Sequence, residues 1–232
     1  MFRDLIKHSE GCRGKNTFEM DIKKVTKLAR TRDEDSSRNQ SLNPHTRKPK
    51  GFVFHESRCG STLVANSLIA MDPARHRVYS ESPPPITALK ACGVDGKLCP
   101  IEKAANLFKD VIYIMSRTDE PMEKNVFFKI QSVGSKFLDV FLHAFPHTPW
   151  IFVYRDPIQV MMSQLSKGTK NANCIGQLRL KDIPETVHSH LVSLGKDVSY
   201  LNAEEKCALH LVSLKQPKPK ILFALHRVSV FK

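Results

Sequence analysis

The chain has 232 residues, with 36 basic and 23 acidic side chains and a formal net charge of +13. Hydrophobic residues make up 41% of it, which is enough for a substantial core and typical of a soluble globular protein. No stretch reaches the ~18 apolar residues of a membrane span, and the first residues do not resemble a secretory signal. The positive charge favours an anionic partner, such as a nucleotide, a polyanion or a nucleic acid.

The cysteine pattern indicates the redox state of the compartment in which the protein is expected. They stand at positions 12, 59, 92, 99, 174 and 207, and none forms the Cys-x-x-Cys pair of a zinc site. Without a secretory signal, free thiols in a reducing compartment are the expected state. The sequence therefore predicts a cytoplasmic protein with no metal site and no membrane span.

Residues 1–50 form a basic, polar arm with weak periodicity, and residues 51–232 are interpreted as one α/β domain. From Thr31 to Lys50 the only large apolar side chain is that of Leu42, so this stretch is expected to be a linker or partly disordered. A short helix is predicted over Phe18–Ala29.

Four compact apolar runs, each followed by polar residues, are predicted to be buried strands. They are Gly51–His55, Arg77–Ser80, Val126–Ile130 and Trp150–Tyr154. Helical spacing lies between them, over Ser61–Met71, around Ile101–Ser116 and over Phe137–Ala144. This alternation is typical of a doubly wound α/β domain with a mainly parallel sheet, whose ligands bind beyond the carboxyl ends of the strands.

The last third of the chain is predicted to be more helical. Val187, Leu191 and Leu194 follow helical spacing. Asn202, with Glu205 three residues later, predicts a capped helix that continues over Cys207–Leu214. A final strand is considered for Ile221–Phe231.

The loop after the first strand has the composition of an anion site. It reads Glu56-Ser57-Arg58-Cys59-Gly60-Ser61-Thr62 and opens a helix. A helix N-terminus points backbone amides at an anion, and a guanidinium suits phosphate or sulfate oxygens. The ATPase and GTPase pattern G-x-x-x-x-G-K-[ST] does not fit, because Ser61 stands where the Lys should be. By composition alone, a simply capped helix is the alternative.

A second motif, Tyr154-Arg155-Asp156-Pro157, ends the fourth strand, and Ser163 follows Arg155 by eight residues. Asp156 suits a helix N-cap and Pro157 the first helical position. Arg155 and Ser163 are predicted to grip one anion from two sides. Taken alone, the motif is better explained by an arginine paired with Asp156 and a surface serine.

Together, the two motifs resemble the sulfotransferases that use 3'-phosphoadenosine 5'-phosphosulfate (PAPS). In many members of that family the 5'-phosphosulfate loop reads S-R-[SC]-G-S-T, and the 3'-phosphate motif reads [FY]-R-D-P with a later Ser. The resemblance covers residues 50–215. It implies a P-loop-type α/β fold and transfer of a sulfuryl group from PAPS to an unidentified hydroxyl or amine acceptor, with no metal.

The resemblance also implies roles for individual residues. The 3'-phosphate would be held by Arg155 and Ser163. Arg58 would stabilise the leaving group, and Lys129 resembles a second catalytic lysine. The 5'-phosphosulfate would be held by the loop residues Ser57, Arg58, Cys59, Gly60, Ser61 and Thr62.

The general base departs from the family pattern. Cytosolic relatives place a histidine two residues after the position of Lys129, where this chain has Gln131, and an amide cannot accept the proton. Glu81, at the end of the second strand, is the preferred replacement because other branches of the family use Glu. Its alternative is a solvated turn carboxylate. His55 is a weaker candidate.

The family closes its nucleotide site with a late basic segment, often Arg-Lys-Gly, which residues 216–232 do not contain. The chain is therefore interpreted as a truncated or divergent member. A nucleotide-binding protein of the same fold without catalysis is one alternative, and a basic polyanion or nucleic-acid binder is another. Nucleic acid is disfavoured because few aromatic residues interleave the basic ones.

Overall fold

The computed structural model describes residues 19–39, 45–93, 97–166, 168, 172–176, 178, 183 and 185–215. In chain order its elements are α1 (Ile22–Asn39), β1 (His45–Thr46), β2 (Pro49–His55), α2 (Ser61–Met71), β3 (His76–Ser80), α3 (Pro83–Leu89), α4 (Ile101–Met115), β4 (Arg117–Thr118), β5 (Asn125–Lys129), a 3₁₀ helix (Ser132–Phe137), α5 (Leu138–Ala144), β6 (Trp150–Val153), α6 (Pro157–Leu165), α7 (Asn173–Gly176), α8 (Glu185–Ser193), a second 3₁₀ helix (Val198–Tyr200) and α9 (Ala203–Lys215).

A four-stranded parallel sheet in the order β3-β5-β2-β6 lies at the centre of the fold, flanked by helices. Its members are the four predicted strands, so the α/β class and the parallel sheet are confirmed. Phe52, on the inner strand β2, pairs in register with Phe128 on β5 and with Trp150 on β6. The small antiparallel pair β1–β4 lies apart from this sheet.

The chain reverses its direction of winding within the sheet. From β2 it crosses to β3 at one edge, and from β5 it crosses over β2 to β6 at the other edge. The adjacent strands β2 and β5 thus lead into connections that run in opposite directions. Such a switch opens a crevice beyond the carboxyl ends of the two strands. His55 and Lys129 are the last residues of these strands.

The core is aromatic, because the apolar strands bring phenylalanines against helices on one face of the sheet. The ring centroids of Phe52 and Phe141 lie 4.8 Å apart, and those of Phe54 and Phe141 lie 5.0 Å apart. Phe108 on α4 lies 6.0 Å from Phe52. All four are at most 1% exposed. Aromatic pairs at these distances contribute about 0.5–1.5 kcal/mol each beyond the area they bury.

The polar stretch near the N-terminus differs from the prediction. Helix α1 continues to Asn39, so a linker from Thr31 onward is wrong for the first nine residues of that stretch. Asp33 anchors the helix: its carboxylate accepts hydrogen bonds from Arg117 (2.7 Å) and Tyr113 (2.6 Å). Composition could not reveal this helix, because the partners lie 80 or more residues away along the chain.

The prediction of free thiols is wrong for four of the six cysteines. Cys92 is disulfide-bonded to Cys99 and Cys174 to Cys207. The second bond links α7 to α9, and both of its cysteines are fully buried. Among the described cysteines, only Cys59 is free.

The C-terminal helices follow the prediction. The amide of Glu205 donates to Asn202 Oδ1 (2.8 Å), and the amide of Asn202 donates back to Glu205 Oε2 (3.0 Å), which is a complete capping box. Ile221–Phe231 lies outside the described residues. Within the described part of the chain, no helix combines the length and the apolar character needed to cross a bilayer.

Candidate functional site

The loop between β2 and α2 is held in a shape that few residues adopt. Arg58 and Gly60 have φ angles of 64° and 90°, both left-handed. A Cβ on Gly60 would meet no atom within 4 Å, so backbone conformation rather than crowding favours glycine there. No side chain caps the first turn of α2. The Leu63 amide donates to the Gly60 carbonyl at 2.9 Å, so the amides of Ser61 and Thr62 are the ones that could bind an anion.

The two sequence motifs meet in space. Arg58 Nε donates to Ser163 Oγ at 2.9 Å, across 105 residues of chain. The contact forms because β2 and β6 are neighbours, so the loop after β2 and the helix after β6 start from the same edge of the sheet. The sequence predicted both motifs at this edge, and the structure brings them together.

A hydrogen bond of Glu56 connects the loop after β2 to the motif that begins at Tyr154. Its side chain is fully buried, and Oε1 accepts a hydrogen bond of 2.6 Å from the backbone amide of Arg155. Sequence analysis included Glu56 in the loop but gave it no role. A carboxylate directly after the buried strand Gly51–His55 was the available signal, because a buried acid needs a partner.

Arg155 and Ser163 have separate partners here. The Arg155 side chain is exposed, and its Nε donates to Gln159 Oε1 at 2.7 Å. Asp156 caps α6 by accepting from the amide of Gln159 at 3.0 Å, as predicted. The guanidinium of Arg155 thus lies on the solvent side of the helix start, where an incoming anion could reach it.

A charged triad lies at the carboxyl ends of β2, β5 and β3. Lys129 is 2% exposed and its Nζ donates to Glu81 Oε1. His55, 4% exposed, places Nε2 at 3.4 Å from the same oxygen. These three candidates lie far apart in the sequence, and the structure brings them into one cluster of two cations around one carboxylate. The side chain of Glu81 is 45% exposed, so the cluster opens to solvent through Glu81.

The cluster shifts the pKa values of its members. Contact with His55, and then with Lys129, lowers the pKa of Glu81 to about 2 against the opposing effect of burial. Burial and the charge of Lys129 act to lower the pKa of His55, but its bonds to Cys59, Glu81 and the Glu56 carbonyl outweigh them and raise it to about 9. Near neutral pH the triad therefore holds a carboxylate and two cations.

Gln131 has a structural role that sequence analysis missed. Its Nε2 donates to the backbone carbonyl of Glu81 at 3.0 Å, while the amide of Glu81 donates to the carbonyl of Lys129 at 2.7 Å. Glu81 is held between them at a left-handed φ of 57°. Among the described residues, Arg58 and Glu81 are the two non-glycine residues with positive φ. Backbone strain of this kind tends to concentrate at functional sites.

The 3₁₀ helix after Gln131 is hydrogen-bonded to the end of β2 and to the loop that follows it. Ser57 Oγ and Ser132 Oγ share a hydrogen bond of 2.9 Å, and Ser135 Oγ donates to the His55 carbonyl at 3.3 Å.

Within the described residues, no group of three or more His, Cys, Asp and Glu side chains could hold a metal ion.

The chain fits no protein-family model, and a search of curated proteins finds none similar to it. A function for this chain therefore has to be inferred from its own residues.

Proposed function

We propose that this protein has the P-loop-type sulfotransferase fold and transfers a sulfuryl group from PAPS to a hydroxyl or amine acceptor. The observation that carries the proposal is the hydrogen bond between Arg58 and Ser163. It joins, at one edge of the sheet, the two motifs that resemble the 5'-phosphosulfate and 3'-phosphate sites of that family.

The residues present fit a donor with two phosphate groups. The uncapped first turn of α2, with the hydroxyls of Ser61 and Thr62 and the guanidinium of Arg58, offers a site for the 5'-phosphosulfate. The 3'-phosphate would be held by Arg155 and Ser163. Arg155 is exposed and shares its Nε with a neutral glutamine, so binding an anion would break no ion pair with Gln159.

The chemistry assigned to the triad needs no metal. PAPS supplies the sulfuryl group and a phosphate leaving group. The acceptor oxygen or nitrogen bonds to sulfur, its proton passes to Glu81, and the sulfur–oxygen bond to the 5'-phosphate breaks with its electron pair. Arg58 stabilises the negative charge that forms on the leaving oxygen, and Lys129 adds a second positive charge nearby.

The location of the protein is a separate proposal. A cytoplasmic location was predicted from the cysteine pattern. The disulfides Cys92–Cys99 and Cys174–Cys207 weigh against it, because such bonds are rare in reducing compartments. We therefore propose an oxidising compartment.

Donor binding is tested with adenosine 3',5'-bisphosphate, the desulfated product. At a hundredfold excess over Kd it should stabilise the fold by about 2.7 kcal/mol. For a chain of this size, that is a rise in Tm of about 5–10 °C. Arg155→Ala should remove most of the shift. The control is Arg75→Ala, which changes an exposed arginine before β3, at the other end of the strands.

If the wild-type Tm does not move, PAPS binding is wrong. If steeply salt-dependent binding to RNA or DNA occurs without a response to the bisphosphate, the basic polyanion binder takes its place.

A non-catalytic nucleotide-binding protein is the second candidate. It is favoured by the low pKa of Glu81, about 2, because a carboxylate held between two cations is a weak proton acceptor. Incubation with ³⁵S-labelled PAPS and a panel of phenol, steroid alcohol, monosaccharide and tyrosyl-peptide acceptors separates the two. Label on any acceptor excludes this candidate, whereas a bisphosphate shift without transfer supports it.

A further inference from the structure

The histidine behind Glu81 has no counterpart in the two motifs that carry the proposed function. We propose that His55 is a positioning residue, which holds the Glu81 carboxylate in the orientation that lets it take the acceptor's proton. This inference rests on the proposed function and deepens it.

The ring of His55 is fixed by the backbone around it. Nδ1 lies 2.9 Å from the Glu56 carbonyl oxygen, and the carbonyl of His55 itself accepts from Ser135. The residue closes β2, an inner strand, and is 4% exposed. A carbonyl oxygen only accepts hydrogen bonds, so Nδ1 must carry a proton. The other ring nitrogen, Nε2, is thereby directed at Glu81.

The ion-pair contact of the other nitrogen favours the charged form of the ring. Nε2 faces a carboxylate oxygen 3.4 Å away, which also only accepts, so the arrangement calls for imidazolium. The charged groups that face the ring are Glu81 from the end of β3 and Lys129 from β5, together with the thiol of Cys59 in the loop. Glu81 is the only anion among these three groups, so the positive charge of His55 is directed at it.

Glu81 needs such a support. Its side chain leaves a left-handed turn and is nearly half exposed, and by itself it would sample many rotamers. Lys129 and His55 both contact Oε1, which fixes the carboxylate from two sides and leaves its second oxygen to accept a proton. One cation alone would hold the oxygen but would leave the plane of the carboxylate free to turn.

The competing explanation is a buried strand-end histidine that is satisfied by the Glu56 carbonyl and plays no part in the reaction. The chain contains a control for this. His76, at the start of β3, also bonds a backbone carbonyl through Nδ1, that of Leu68 at 2.6 Å, and lies at the opposite end of β3 from Glu81.

The experiment compares three variants for transfer of ³⁵S-sulfate from PAPS to the best acceptor of the panel. His55→Ala should lower kcat about 10- to 100-fold and leave the KM for PAPS within about twofold. His55→Gln should recover most of the rate, because its amide can donate to Glu81 without carrying charge. His76→Ala should keep the wild-type kcat even where it lowers Tm.

The pH profile separates positioning from stability. In the wild type, kcat should fall as pH rises through about 9, where the His55 ring loses its proton. In His55→Gln that fall should be absent, because no imidazole titrates there. A simple loss of packing would lower the rate without moving the profile.

A ¹³C NMR titration of the Glu81 carboxyl is a readout that needs no turnover. Its pKa should rise in His55→Ala, because the first of the contacts that lower it is gone. A normal kcat in His55→Ala, a folded His55→Gln that is as slow as His55→Ala, or an unchanged Glu81 pKa would each overturn the inference and leave the proposed function intact. Absence of turnover in the wild type would overturn the role in catalysis together with the proposed function.

Discussion

Two buried histidines in two regions of this molecule differ in charge, since one is protonated and the other is neutral. His55, at the carboxyl edge of the sheet, is held protonated with a pKa raised to about 9. His210, on α9, is held neutral with a pKa lowered to about 4, first by burial and then by the charge of Lys136. Within the described residues, neither ring nitrogen of His210 has a hydrogen-bond partner. Both residues are at most 4% exposed, so burial alone does not explain the difference.

The difference lies in what surrounds each ring. The strand ends supply a carboxylate and a backbone carbonyl to His55, and these favour the charged form. Helix α9 instead packs on α6 and on the 3₁₀ helix Ser132–Phe137, where His210 is fully buried and feels the charge of Lys136. The sheet edge therefore stabilises a charged histidine, and the helical layer stabilises a neutral one.

The largest effect is expected from removing the carboxylate of Glu81, the anion beside His55 at the sheet edge. Glu81→Gln should lower turnover about 10²- to 10⁴-fold, the usual contribution of a general base. The pKa of His55 should fall with it, while that of His210 stays near 4. Sulfate transfer and an NMR titration of the histidine rings measure both. A change at His210 would contradict the separation of the two regions.

In the helical layer, the free energy of unfolding should instead depend on the disulfide Cys174–Cys207. Closing a loop of 33 residues contributes about 3–4 kcal/mol by the chain-entropy relation, so Cys174→Ser should lower the free energy of unfolding by about that much. The Tm shift caused by the bisphosphate should persist, because α7 and α9 contribute no residue to the proposed donor site. Urea unfolding with and without the bisphosphate measures this.

The matched control for that variant is Cys92→Ser, which opens a loop of 7 residues and should cost about 2 kcal/mol. Equal losses in the two variants would contradict the loop-length explanation.

The last expected effects are on the pH dependence of stability, and they have opposite signs in the two regions. His210 binds its proton more tightly in the unfolded chain, so stability should fall by up to about 3 kcal/mol as pH drops from 6.5 to 4. His55 binds its proton more tightly in the folded chain. Its contribution is present in full below pH 6.5 and should be lost as pH rises through about 9.

Urea unfolding across pH 4–10 checks both limbs. His210→Leu should flatten the acid limb only, and His55→Gln the alkaline limb only. An acid limb unchanged in His210→Leu would show that another group controls it.

Much of the framework could be read from the chain because it is encoded locally. The strand around Phe52 is a continuous apolar run, which is how a strand buried on both faces of a parallel sheet reads. The cap at Asn202 lies within three residues of its partner. The loop around Gly60 follows directly from the strand before it, so its place at the sheet edge was predictable.

Features that depend on distant partners could not be read in this way. The pairing of Cys174 with Cys207 and the docking of Asp33 on Arg117 join segments whose separation carries no local pattern. Gln131 looked like the loss of a catalytic histidine, and only the left-handed turn at Glu81 explains what its amide holds.

The amino-acid order alone therefore predicted the four strands of the sheet, the edge of the sheet that carries the site and the residue types available there. Packing decided which side chains touch. Contact with a carboxylate keeps His55 charged, and burial keeps His210 neutral. The energy of a buried charge depends on its immediate neighbours.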